Sequence, residues 1–209
     1  MKAFYITDKG IVRDQNQDAV LSLNVGNSGL FIVADGVGGS ENGALASSLI
    51  VDTYNRWWED HFDESMTFFE AFEEIKEAAQ LINEMVFSEY GTNVSASTLS
   101  LLFIHEDIYG IISIGDSRIY HSDKYETRCL TRDDVLENLP NNYGLGSGQL
   151  ISAIGRDSYL EFSSKTDKIK KKDLFFLCSD GVYKYISDEN LLDRLNRMQN
   201  RFYFSKKIL

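Results

Sequence analysis

The stretch "FIVADGVGGS", residues 31 to 40, decides the reading of the fold. Four apolar residues, Phe31 to Ala34, run straight into Asp35, and three of the next four residues are glycines. A single Asp-Gly pair usually marks a turn. Here the arrangement recurs. "IISIGD" ends an apolar strand at Asp116, and "LFFLCSD" ends another at Asp180, again followed by Gly181. Buried carboxylates are costly unless they are paired or bound to metal. Gathering several in one region makes sense when a divalent cation offsets their repulsion. Glycine after Asp35 lets the backbone approach closely, so the carbonyl of Gly36 can join the carboxylates as a donor. An all-oxygen donor set suits a hard ion, Mg²⁺ or Mn²⁺.

The surrounding pattern gives the layout. "AFYIT", "AVLSLNV" and "LFIVAD" read as strands. Residues 41–58 turn helical. Phe68, Phe69, Phe72, Ile75, Ala79, Ile82, Met85 and Val86 then recur at helical spacing. "STLSLLFIH", "IYGIISIG", "SRIYHS" and "TRCL" follow as strands, "NNYGLGSGQ" as a glycine-rich loop, and "YLEFSSKT" and "LFFLCSD" as strands again. "DENLLDRLNRMQN" closes as an amphipathic helix. Strands in adjacent groups, with two helices in one block, indicate antiparallel sheets with helices packed on them, an α+β fold.

Composition narrows the class. The 209 residues, 43% hydrophobic and 25% charged, suit one domain with a sizeable core. No apolar run approaches the ~20 residues of a membrane span, and the N-terminus turns polar too early for a signal peptide. Two cysteines make no disulfide framework, so a reduced cytoplasmic setting is expected. A net charge of −11 argues against nucleic acid as a partner. The basic run Lys168 to Lys172 reads as a solvated turn before a strand. His61, His105 and His121 lack metal-ligand spacing, which disfavours zinc. Cys178, within an apolar strand, reads as a buried, inert thiol.

Upstream of the glycines stands "VRDQNQD", residues 12 to 18. Together with "VADGVGG", "IGDSRIY", "LISAIG" and "LCSDGVYKYISDENL", it resembles the ordered motif blocks of the metal-dependent, type-2C serine/threonine protein phosphatases, in their compact bacterial form. The match runs from about residue 4 to residue 195. The resemblance implies a four-layer αββα sandwich, two antiparallel sheets flanked by helices, with the metal site at one end. It implies hydrolysis of phosphoserine and phosphothreonine on proteins by a water activated between two Mg²⁺ or Mn²⁺ ions roughly 3.5–4 Å apart. By resemblance, Asp35 bridges both ions, Gly36 offers its carbonyl to the second, Asp180 ligates the first, and Asp18 holds metal-bound waters. Asp116, with Asp180, frames a third, looser metal position. Ser117 and Arg118 are expected to support the turn that carries Asp116. Arg13 grips the substrate phosphate, and a guanidinium fork is matched to that task. The implied partners are phosphorylated proteins, with a Ser/Thr kinase or its targets among them, and neither nucleic acid nor membrane.

Other phosphatase chemistries fail on residue type. A cysteine-based enzyme needs Arg six positions after Cys, where this chain has Val135 and Lys184. The aspartyl-phosphate class needs D-x-D, but Asp35 is followed by Gly36 and Val37. Gln17 stands where many family members carry glutamate, and Val37 where some carry histidine. Family members continue past "SDENLLDRL" to a strand bearing a D-N-x-[ST] aspartate that ligates the first metal. These residues contain no Asp-Asn after Asp180, so the expectation is one catalytic domain over 1–209, short in its C-terminal strand region and weakened in metal binding. The competing expectation is a weak or inactive member that acts as a phosphoprotein-binding regulatory module.

Overall fold

The opening stretch becomes strand β2 (Ser28–Val37), which follows β1 (Asp18–Val25) through a two-residue turn in which Gly26 takes φ +53°. The pairing is antiparallel, with Val25 opposite Ser28 and Asp18 opposite Asp35. The structure, a computed structural model, describes residues 1–11, 13–37, 42–91, 94–138 and 149–204. Strand β2 alternates as a strand between two layers must. Leu30, Ile32 and Ala34 enter the helix-covered core, whereas Phe31 joins the cluster between the sheets.

Helix α1 (Asn42–Asp60) and helix α2 (Phe68–Tyr90) cover the outer face of the larger sheet. The α2 start is fixed by a capping box. Thr67 accepts from the Glu70 backbone N–H, and the Glu70 carboxylate accepts from Thr67 N–H at 2.8 Å. The apolar stripe read from the sequence is its buried face, including Phe68, Phe72, Ile75, Ala79, Ile82 and Val86, while Phe69 and Met85 are exposed.

Five further strands extend the larger sheet and begin the smaller: β3 (Ala96–Ser97), β4 (Leu99–His105), β5 (Ile108–Ile114), β6 (Arg118–Ser122) and β7 (Thr127–Cys129). After a 3₁₀ turn at Leu136–Asn138 come β8 (Ser163–Lys168), β9 (Leu174–Cys178), α3 (Asp180–Tyr183) and α4 (Asp188–Phe204). The larger sheet runs β1-β2-β4-β5-β8, with β3 on β2, and the smaller runs β7-β6-β9. All the pairings are antiparallel. Leu102, Ile104, Tyr109 and Ile111 of the larger sheet meet Ile119, Phe175 and Leu177 of the smaller. On its far side the smaller sheet carries α4, whose Leu191 and Leu195 pack on Tyr120 and Cys178. The layers therefore run helices, sheet, sheet, helix, as expected.

Local differences have local causes. "AFYIT" forms no strand: Phe4 and Ile6 are 92% and 90% exposed, and no described strand pairs with them. β propensity gives no strand without a ladder partner and a face to bury. The strand expected in "YLEFSSKT" starts later, at Ser163, where pairing with Ser113 of β5 begins. Lys168 to Lys172 supply the end of β8 and the turn into β9. The glycine-rich loop at residues 141–149 lies, apart from Gln149, outside the described residues.

Candidate active site

The acidic end of the sandwich is assembled from four chain segments. Asp18 opens β1, and Asp35 lies directly opposite it on β2. Like charges so placed destabilise a strand pair. Asp116 sits in the bend between β5 and β6, and Asp180 is the first residue of α3, two positions past the end of β9. The sequence placed Asp35, Asp116 and Asp180 at strand ends. In the structure Asp35 is within β2, and the other two lie just beyond their strands.

Backbone contacts lock these segments together. Asp35 N–H donates to Thr98 Oγ1 at 3.0 Å, and the Asp35 carbonyl accepts from Thr98 N–H and Ser97 Oγ. Thr98 Oγ1 also meets Ser117 Oγ at 2.8 Å, and Ser100 Oγ donates to the Ser117 carbonyl at 2.7 Å. The strand that carries Asp35 and the bend that carries Asp116 are thus tied through Thr98. Gly115, at φ +90°, makes that bend possible.

The carboxylates feel one another. Burial, then the charges of Asp18, Asp180 and Asp116, push the Asp35 carboxyl up to about 8, and it shares a hydrogen bond with Asp18. Asp116 is buried, and burial raises it too. Each outer carboxylate is also held by a neighbour. Ser179 Oγ donates to Asp18 Oδ2 at 2.7 Å, Tyr183 OH donates to Asp116 Oδ2 at 3.0 Å, and Lys184 pairs with Asp180. Arg13 lies five residues before Asp18, exposed, with no ion pair to any described residue.

Gly36 answers why side chains are stripped after Asp35. Its N–H donates to the Gln17 carbonyl at 3.0 Å, and Ser47 Oγ of α1 donates to the same carbonyl at 2.7 Å. A Cβ at Gly36 would stand 2.2 Å from the Gly43 carbonyl oxygen and 2.8 Å from the Gln17 carbonyl oxygen. Both obstacles are backbone, so neither can rotate away. Gly36→Ala should cost at least about 1–3 kcal/mol, at about 2–4 °C of melting temperature per kcal/mol. A thermal melt that matches the parent would contradict this packing.

The structure thus brings together Asp18, Asp35, Gly36, Asp116 and Asp180, and leaves Arg13 on the exposed segment that leads into β1. Arg118 does not support the Asp116 turn directly. It turns away to Asp133 and Asp188, while Ser117 supports the turn. Ser179, Tyr183 and Lys184 were not singled out in the sequence, although all lie within "SDGVYK" beside Asp180. Cys178 is a buried thiol that burial pushes up to about 12, consistent with inertness.

The donor set fits a hard cation. Oxygen donors surround Asp35, and a cation would offset the charges of Asp18, Asp180 and Asp116 that add to burial in raising its carboxyl. Among the described residues, no group of three His, Cys, Asp or Glu is arranged to chelate one ion. Mg²⁺ does not require such a cage, because it commonly keeps several waters and takes one or two carboxylates.

Comparison with known proteins places the fold and the family. The catalytic domain of the serine threonine protein phosphatase PstP, solved with two manganese ions, shares the fold at a TM-score of 0.73, with 24% identity over 90% of this chain and 81% of that one. PppA, described as a key regulatory component of T6SS in Pseudomonas aeruginosa, is 31% identical, with a TM-score of 0.76 over 90% of this chain and 80% of its own. The serine/threonine phosphatase stp of Listeria welshimeri is 27% identical over 93% of this chain and 83% of its own. The class is that of the metal-dependent protein phosphatases. Residues 11–206 match the protein phosphatase 2C family, and the chain belongs to it.

Proposed function

We propose that this chain dephosphorylates phosphoserine and phosphothreonine in proteins with Mg²⁺ or Mn²⁺ held among Asp18, Asp35, Gly36, Asp116 and Asp180. Two ions there, with a third held more loosely, would supply Lewis acidity and a nucleophilic water for in-line attack on phosphorus. Asp35 and Asp180 would hold the first ion, and Asp35 and the Gly36 carbonyl would hold the second. Asp18 would orient water, and Asp116 with Asp180 would frame the looser position. Arg13 receives the phosphate by a bidentate fork. The observation that carries this reading is the convergence on Asp35. Burial, with the charges of Asp18, Asp180 and Asp116, pushes its carboxyl up to about 8, and bound cations would offset that mutual repulsion.

The two manganese ions of the PstP domain and the serine/threonine name of the Listeria relative support the choice of metal and of phosphoamino acid. Phosphorylated proteins are the partners, a Ser/Thr kinase or its targets among them, and the working place is the cytoplasm. Among the described residues, no helix is long and apolar enough to cross a membrane. These 209 residues act as one catalytic domain.

Hydrolysis of a phosphothreonine peptide across a Mn²⁺ titration tests the reading. The parent should turn over in a Mn²⁺-dependent way. Arg13→Ala should lower kcat/KM by about 10–100-fold, since a charge-assisted hydrogen bond contributes roughly 1.5–3 kcal/mol. Equal kcat/KM values would remove Arg13 from the site, and no turnover at any Mn²⁺ concentration would refute the hydrolase.

A further inference from the structure

We infer that Tyr183 is a positioning residue of the phosphatase centre, fixing the Asp116 carboxylate from a seat built by Arg118. The Tyr183 hydroxyl donates to Asp116 Oδ2 at 3.0 Å. The Arg118 guanidinium carbon lies 3.8 Å from the centroid of the Tyr183 ring. That guanidinium is itself immobilised. Nε donates to Asp133 Oδ1 at 3.0 Å, Nη2 to Asp133 Oδ2 at 2.7 Å, and Nη1 to Asp188 Oδ1 at 2.9 Å. Tyr120 OH donates to the same Asp188 oxygen at 3.1 Å. Arg118 comes from β6, Asp188 from the first residue of α4 and Tyr183 from α3, so three elements meet in one network.

The bond to Asp116 is not required to hold the bend. Gly115 N–H donates to Asp134 Oδ2 at 3.0 Å, Asp134 N–H returns a bond to the Gly115 carbonyl, and Ser117 is held by Thr98 and Ser100. The main chain around Asp116 is therefore fixed without Tyr183. What Tyr183 adds is the setting of the Asp116 side chain, with Oδ2 engaged. A carboxylate held in one rotamer presents its remaining acceptor sites without an ordering cost when a cation arrives. Loss of a partner that orients a metal-holding group typically costs about 10–100-fold in metal affinity. Stacking of a planar cation on the ring keeps the hydroxyl aimed. The inference rests on the reading of Asp116 as part of the metal site.

Calorimetric Mn²⁺ titration of the full chain tests it, with Tyr183→Phe and Asp116→Asn beside the parent and thermal melts of each in EDTA. Tyr183→Phe should weaken the loosest Mn²⁺ binding step by about 10-fold or more. It should raise the Mn²⁺ concentration for half-maximal turnover in parallel, and leave the EDTA melt and the KM for phosphopeptide unchanged. Asp116→Asn should remove that step. If Asp116→Asn weakens binding while Tyr183→Phe titrates like the parent, the positioning role is wrong and the metal reading stands. If Asp116→Asn itself titrates like the parent, the reading of Asp116 fails first. If Tyr183→Phe weakens binding only together with a lowered EDTA melt, Tyr183 is structural and the inference falls.

Discussion

Asp35→Asn should abolish phosphatase turnover and, in the same protein, raise the melting temperature of the metal-free chain at neutral to alkaline pH. Both effects come from one crowded carboxyl. Asp35 faces Asp18 across the β1–β2 pair, and the charges of Asp18, Asp180 and Asp116 add to its burial. Its folded-state carboxyl stands at about 8, against 3.8 as the ordinary value. Between those values the folded state holds a proton that the unfolded state has released, so metal-free stability falls as pH rises through that window. Asparagine keeps the shape, carries no charge, and removes that slope. A gain of at least ~1 kcal/mol at pH 8, about 2–4 °C, is expected. The same change deletes a carboxylate that two cations would share, so turnover should fall by well over the ~100-fold that lost supporting groups cost. Scanning fluorimetry in EDTA at pH 5 and pH 8, beside hydrolysis of p-nitrophenyl phosphate in Mn²⁺, reads both. A variant that melts lower at pH 8, or that keeps its activity, would contradict the crowding.

Removing and restoring metal should have the second large effect. EDTA should stop turnover, and Mn²⁺ should restore it with a rise in melting temperature. A ligand at 100 times its dissociation constant stabilises the folded state by about 2.7 kcal/mol, or roughly 5–10 °C at 2–4 °C per kcal/mol. The cation and the Asp35 proton compete for one place. Metal affinity should therefore rise with pH until Asp35 ionises near 8. A melting temperature that ignores saturating Mn²⁺ would contradict this.

Much of this was legible in the sequence because the informative positions are constrained by backbone chemistry. "ADGVGG" signals close approach, and the contact of Gly36 with Gly43 and Gln17 supplies the reason. The apolar periodicity of residues 68–86 follows from a helix that buries one face. What the sequence hid depends on pairing across long separations. "AFYIT" has strand composition but finds no described partner, and composition cannot reveal that. Ser179, Tyr183 and Lys184 look like ordinary residues around a turn. The roles of Ser179 and Tyr183 appear only when the fold brings them within reach of Asp18 and Asp116, 161 and 67 residues away, whereas Lys184 pairs locally with Asp180. Arg118 seemed tied to its own turn, but its partners Asp133 and Asp188 lie 15 and 70 residues away.

The most direct test of the acidic centre is Mn²⁺ binding to the parent and to Asp35→Asn, measured by titration calorimetry at pH 7 in two buffers of different ionisation heat. Saturable binding to the parent with release of a proton, lost in Asp35→Asn, is the predicted result. Binding without proton release, or the same isotherm for both proteins, would show that the cations do not gather at Asp35.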